Sequence, residues 1–131
     1  MKQLNSIMLV DDDSTANFLH EEILNDMGIA KEIIISLNGM EALEKIHDLC
    51  NSNKCPDLIL LDINMPKMNG FEFLEKFYEM DAERKYPAVV VILTSSLDPN
   101  DVKKAKELNV KQYLSKPLEE EGINEIFNKY F

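Results

Sequence analysis

Five short apolar runs recur along the chain, at residues 7–10, 33–35, 58–61, 88–93 and 113–114. They are continuous rather than alternating, the pattern of strands covered on both faces. Between them lie segments with helical spacing. Ala16, Leu19, Ile23 and Met27 form one stripe, closed by Gly28 as a C-terminal cap. Leu43, Ile46 and Leu49/Cys50 form a second, with Asn38 and Glu41 spaced as a capping box. Phe71, Leu74 and Phe77/Tyr78 form a third. The fourth opens on Asp98-Pro99-Asn100-Asp101, a cap followed by a proline at the first helical position, and carries Val102, Ala105 and Leu108. Ile123, Ile126/Phe127 and Tyr130 make the fifth. Strand and helix alternating five times predict an α/β fold, a five-stranded parallel sheet with helices on both faces. At 131 residues this is one domain, 1–131. After the fifth strand one helix fits before Phe131, so no effector domain is expected.

In an open parallel sheet, chemistry gathers at the carboxyl ends of the strands. Strand one is followed by Asp11-Asp12-Asp13, and strand three by Asp62, with Asn64 two residues on. Strand four ends in Thr94-Ser95, and strand five leads into Ser115-Lys116-Pro117. Strand two leads into Ser36-Leu37-Asn38, with nothing ionisable. Taken singly these are ordinary residues: an acidic run caps helices, Lys-Pro makes loops, and threonine favours strands. Together, on four strands and at one end, they describe something narrower. Converging carboxylates repel unless a hard cation neutralises them, and Mg2+ is such a cation. Lys116 is the cationic side chain at that end. A carboxylate nucleophile, a metal, a lysine and the Thr94 hydroxyl are the parts of a phosphoryl-transfer site.

Charge narrows the partners. Asp and Glu number 24 against 14 Lys and Arg, a formal charge of −10. Such a chain lacks the basic surface that nucleic acid requires and is repelled by anionic membranes, so neither is an expected partner. No apolar run approaches the ~18 residues of a membrane span, and the first residues lack a signal peptide's apolar stretch, which predicts a cytoplasmic protein. On that ground Cys50 and Cys55 are expected to be reduced thiols. With His47 they spell His-x-x-Cys-x-x-x-x-Cys, one ligand short of a structural zinc site.

The central stretch Leu58-Ile59-Leu60-Leu61-Asp62-Ile63-Asn64-Met65-Pro66-Lys67-Met68-Asn69-Gly70 is the most specific segment. Together with Ile7-Met8-Leu9-Val10-Asp11-Asp12-Asp13, Val91-Ile92-Leu93-Thr94-Ser95 and Lys116-Pro117, it resembles the receiver domain of two-component response regulators, of the CheY-like, flavodoxin-like doubly wound fold. The resemblance covers essentially the whole chain. It implies strand order 2-1-3-4-5. It implies that Asp62 accepts a phosphoryl group from a sensor histidine kinase or a histidine phosphotransfer protein. Asp11, Asp12, Asp62 and the backbone carbonyl of Asn64 would hold Mg2+. Lys116, joined to Pro117 by a cis bond, would contact the phosphoryl group. Thr94 would sense it and Tyr113 would be the aromatic switch. An unknown protein target would then read the face of helix four, strand five and helix five. Asp13 falls where the family varies and is expected to start the helix rather than bind metal. Residues 51–54 and 80–86 are longer than the family's minimum, as partner surfaces or as neutral insertions.

Within this resemblance the chain is either a stand-alone messenger or a phosphorelay intermediate that passes its phosphate on. Neither is an enzyme beyond phosphorylating itself from a phosphodonor and dephosphorylating itself. A rival of another class is a haloacid dehalogenase-type phosphohydrolase, whose nucleophile motif fits Asp11-x-Asp13-x-Thr15, with Thr94 and Lys116 as later motifs. That reading also needs an acidic pair after the lysine at the end of another strand, whereas Leu118 to Phe131 read as one helix, and it leaves Asp62 idle. A flavodoxin-like redox module is a second rival, but the triple aspartate would repel a flavin phosphate.

Overall fold

The computed structural model describes residues 3–65, 68–81, 88–95, 98–108 and 110–131. Five strands alternate with five helices: β1 (Leu4–Val10), α1 (Ser14–Met27), β2 (Ala30–Ser36), α2 (Gly39–Asn51), β3 (Leu58–Leu61), α3 (Gly70–Asp81), β4 (Val89–Thr94), α4 (Pro99–Glu107), β5 (Gln112–Ser115) and α5 (Glu120–Tyr130). The strands are parallel, in order 2-1-3-4-5. The expected topology is therefore the observed one. Pro66 and Lys67, and residues 82–86 of the longer stretch after α3, lie outside the described residues.

Because side chains alternate along a strand, each buried strand feeds two cores. Met8, Val10, Ile59, Leu61 and Ile92 pack with Ala42 and Ile46 of α2, Phe73, Leu74 and Phe77 of α3 and Ala105 of α4. Ile7, Leu9, Leu58, Leu60, Val91 and Leu93 pack with Leu24 of α1 and Ile123, Ile126 and Phe127 of α5. Two helices thus cover one face and three the other. The rings of Phe73 and Phe77 stack at 5.8 Å in the three-helix layer.

Local signals set the helix starts. Asp13 caps α1, Oδ1 accepting from the Thr15 and Ala16 amides. Asn38 Oδ1 accepts from Glu41 N at 2.9 Å, and Asp98 caps α4 ahead of Pro99. Asn69 and Glu72 form a reciprocal capping box at the start of α3, each side chain accepting from the other's amide. Gly28 ends α1 at φ 63°.

Two expectations are corrected. The inward face of α1 is not the stripe through Leu19, which is 51% exposed. Asn17, His20 and Leu24 are the buried residues of this helix. The helix is rotated so that two polar side chains, not an apolar stripe, meet the sheet near its carboxyl end. The second correction concerns the cysteines: Cys50 and Cys55 are disulfide-bonded, their Cα atoms 4.4 Å apart. Asn53 at φ 60° turns the chain back after α2, and Lys54 N bonds to Leu49 O at 2.8 Å, which brings the two residues together. His47 contacts Asn51 Nδ2 at 3.2 Å, and the bonded sulfurs leave the His-Cys-Cys pattern no thiolate for a metal.

Candidate functional site

Sheet register assembles the site. The ladder runs one residue past the strands: Asp62 N bonds to Val10 O at 2.9 Å, and Lys116 N to Thr94 O at 2.9 Å. Val10 pairs with Leu61, and Asp11 and Asp62 each come next in the chain. Residues at matching register share a face, so the two aspartates stand side by side.

Asp11, Asp12 and Asp62 offer carboxylate oxygens that lie within 4.8 Å of one another, with Asp11 and Asp62 buried and Asp12 exposed. Lys116 Nζ donates to Asp11 Oδ2 and, at 3.1 Å, to Asp62 Oδ2, so one cation bridges both carboxylates. Asp62 Oδ1 accepts from the Thr94 hydroxyl at 2.9 Å and from Asn64 N at 3.1 Å. Asp11 Oδ1 accepts from Asp13 N at 2.9 Å. The Lys116–Pro117 peptide is cis. Tyr113 is not in this group; it lies half-buried on β5 beside Ile92, two residues before the level of Thr94.

All-oxygen donors from three carboxylates suit a hard divalent cation such as Mg2+, and exposed Asp12 leaves the group open to water and to a substrate. The electrostatics agree. Burial pushes the Asp11 carboxyl above its ordinary value and Asp62 adds to this, against the pull of Lys116 and the Asp13 amide. One lysine cannot fully serve two buried carboxylates. Lys116 loses by its own burial, but its hydrogen bonds to Asp11 and Asp62 outweigh that loss and raise it. Burial lowers His20, with Lys116 adding to the effect.

A raised folded-state carboxyl contributes stability that is full below its unfolded value, about 4, and is lost as pH rises through the folded one. Asp11→Asn is therefore expected to melt above the wild type in chelator at pH 7. The difference should shrink toward zero as pH falls to about 4, and Mg2+ should reverse the order by binding only the wild type well. Thermal melts across that range check it; a variant less stable than wild type at pH 7 without metal would contradict the reading of Asp11.

Sequence reasoning missed two residues here, Asn17 and His20, and gave Gly70 only as part of a motif. Asn17, 2% exposed, donates from Nδ2 to Asp11 O at 2.9 Å and so ties α1 to the site. His20 is buried beside it. Gly70 carries the loop after β3, its amide bonded to Ile63 O at 3.1 Å. For Asn17 and His20 the available signal was their i, i+3 spacing, which also describes a solvated helix face. Asp13, which the dehalogenase reading needs beside Asp11, is occupied as the exposed N-cap of α1.

Comparison with known proteins agrees with this geometry. The response regulator receiver domain model matches residues 7–128. The chain is 37% identical over 113 residues to response regulator Rcp1 of Synechocystis, covering 84% of this chain and 75% of that one. It is 29% identical over 123 residues to the sensor histidine kinase CheAY of Helicobacter pylori, a match that covers 94% of this chain but only 14% of that protein. The solved structure of a two component response regulator from Cytophaga hutchinsonii superposes with TM-score 0.90 at 36% identity, covering 98% of this chain and 97% of that one. Receivers are signalling domains that take phosphate on an aspartate from histidine kinases or phosphotransfer proteins. No helix among the described residues is long and apolar enough to cross a membrane. A family match along nearly the whole sheet, with a relative 37% identical across most of both chains, makes this chain a member of the response regulator receiver domain family.

Proposed function

We propose that the chain is a stand-alone, cytoplasmic receiver that accepts a phosphoryl group on Asp62 from a histidine kinase or phosphotransfer protein and signals by changing shape. The observation that carries this is the Lys116 ammonium bridging Asp62 and Asp11, beside exposed Asp12. Asp62 is the carboxylate that also accepts from Thr94, so donors already surround the oxygens that would meet phosphate. The match extends over 75% of Rcp1 and 97% of the Cytophaga chain.

In the reaction an Asp62 oxygen attacks phosphorus, the phosphorus–nitrogen bond of phosphohistidine breaks, and the electron pair leaves on the histidine nitrogen. Asp11, Asp12, Asp62 and the Asn64 carbonyl would hold Mg2+. When bound it supplies positive charge against the three carboxylates and the phosphoryl oxygens. Lys116 moves from bridging two carboxylates to holding a phosphoryl oxygen. The Thr94 hydroxyl, released from Asp62 Oδ1, turns to another. Tyr113, on the neighbouring strand, follows the space Thr94 vacates, and the face of α4, β5 and α5 changes for its target.

Incubation with acetyl phosphate and Mg2+ is expected to add one phosphoryl group to the wild type and none to Asp62→Asn. Intact-mass measurement followed by peptide mapping reads it. An adduct that persists in Asp62→Asn, or one that maps to Asp11, overturns the assignment.

A further inference from the structure

The second turn of α1 presses two polar side chains against the sheet where an apolar stripe would ordinarily lie. Asn17 is 2% and His20 4% exposed, and they stand three residues apart on one helix face. With Asp11 and Asp62 they form the polar wall of a small cavity of about 10 Å³, closed by aliphatic side chains of β1, β3 and β4. That volume is at the size of one water. Asn17 Nδ2 is committed to Asp11 O, while Asn17 Oδ1 has no hydrogen-bond partner among the described residues. A buried amide oxygen without a partner is costly, and such groups are normally satisfied by protein or by ordered water. Four polar side chains around a water-sized space give a water the two to four partners it needs.

We propose that one ordered water fills this cavity, donating to Asn17 Oδ1 and to a carboxylate oxygen of the Asp11–Asp62 pair while accepting from His20, and that Asn17 and His20 are thereby positioning residues for phosphoryl transfer. The outer approaches to the pair are taken by Lys116, Thr94 and the Asp13 and Asn64 amides. Each carboxylate oxygen has a further lone pair to offer. The water reaches that capacity from within the fold, and the Asn17 bond to Asp11 O holds the start of the acidic run to the same helix. This inference rests on Asp62 being the phosphoacceptor.

Two measurements test it. A high-resolution crystal structure of the wild type is expected to contain a single water within about 3.2 Å of Asn17 Oδ1; a cavity free of density overturns the water. His20→Leu puts an apolar group on the cavity wall. It is expected to lower the initial rate of Asp62 phosphorylation by acetyl phosphate at saturating Mg2+ about fivefold, the worth of one hydrogen bond. A thermal melt checks that the variant is folded at this buried position. His20→Gln, which keeps a polar group there, should recover most of that rate. A folded His20→Leu phosphorylated at the wild-type rate, or a loss shared equally by His20→Gln, overturns the positioning role and leaves Asp62 untouched. A wild type that takes no phosphoryl group on Asp62 overturns the underlying reading instead, and the electron density still decides the water.

Discussion

Lys116→Met is expected to destabilise the metal-free protein by about 3 kcal/mol, because it leaves two buried carboxylates facing each other without a counter-charge. The side chains involved are 16% exposed for Lys116, 6% for Asp11 and 8% for Asp62, so solvent screens little of the repulsion. Because Lys116 titrates above its ordinary value, its contribution is whole at neutral pH and is lost only above about 10.4. Two further measurements separate repulsion from lost packing. Adding Asp62→Asn to Lys116→Met removes one of the two charges and should restore more than half of the loss. Mg2+ at 100 times its dissociation constant should return up to about 2.7 kcal/mol to the single variant through binding alone. Phosphorylation at Asp62 should fall at least about a hundredfold, the usual effect of removing a group that stabilises developing charge. Chemical denaturation with and without metal, and intact-mass kinetics, read these quantities. If the two substitutions add independently in stability, Lys116 does not hold the carboxylates together.

The elements most legible in the sequence were those whose cause is local. Apolar runs marked all five strands, including half-buried β5, yet the observed β1 and β2 reach further, to Leu4 and to Ala30. The extra residues of β2 include Lys31 and Glu32, exposed on an edge strand, and an apolar run cannot mark residues that are paired but not buried. Asp13, Asn38 and Asp98 were legible as caps because capping is settled within four residues. Asp11, Asp62, Thr94 and Lys116 were legible as a group because each directly follows or ends a strand, and register does the rest. The rotation of α1 was not. Asn17 and His20 turn inward because the site lies at their end of the sheet, whereas Leu19 is left outside. Periodicity finds a face; it does not know what that face meets. The Cys50–Cys55 bond was missed because an inference from compartment carries no information about a turn at Asn53.

Glycine positions carry the same distinction into a second large effect. A methyl group on Gly70 would stand 2.7 Å from Ile63 Cα and 2.8 Å from the Asp62 carbonyl oxygen. Both are backbone atoms of the segment that carries Asp62, and neither can step aside without moving it. Gly39 is crowded too, but by the Met68 side chain at 2.8 Å, whose thioether end is flexible. Gly122, inside α5, would place its methyl an ordinary 3.5 Å from Leu114 Cδ1. Three alanine substitutions should therefore separate. Gly122→Ala should stabilise by up to about 1 kcal/mol through helix propensity. Gly39→Ala should cost about 1 kcal/mol, the low end for overpacking. Gly70→Ala should cost about 3 kcal/mol and slow phosphorylation of Asp62 about a hundredfold, since a displacement near 1 Å at a reacting group has that effect. The ratio of rate loss to stability loss is the decisive quantity: Gly39→Ala should keep its rate within about threefold while Gly70→Ala does not. Should Gly70→Ala melt and phosphorylate like Gly39→Ala, the close approach over the Asp62 carbonyl is not what positions Asp62.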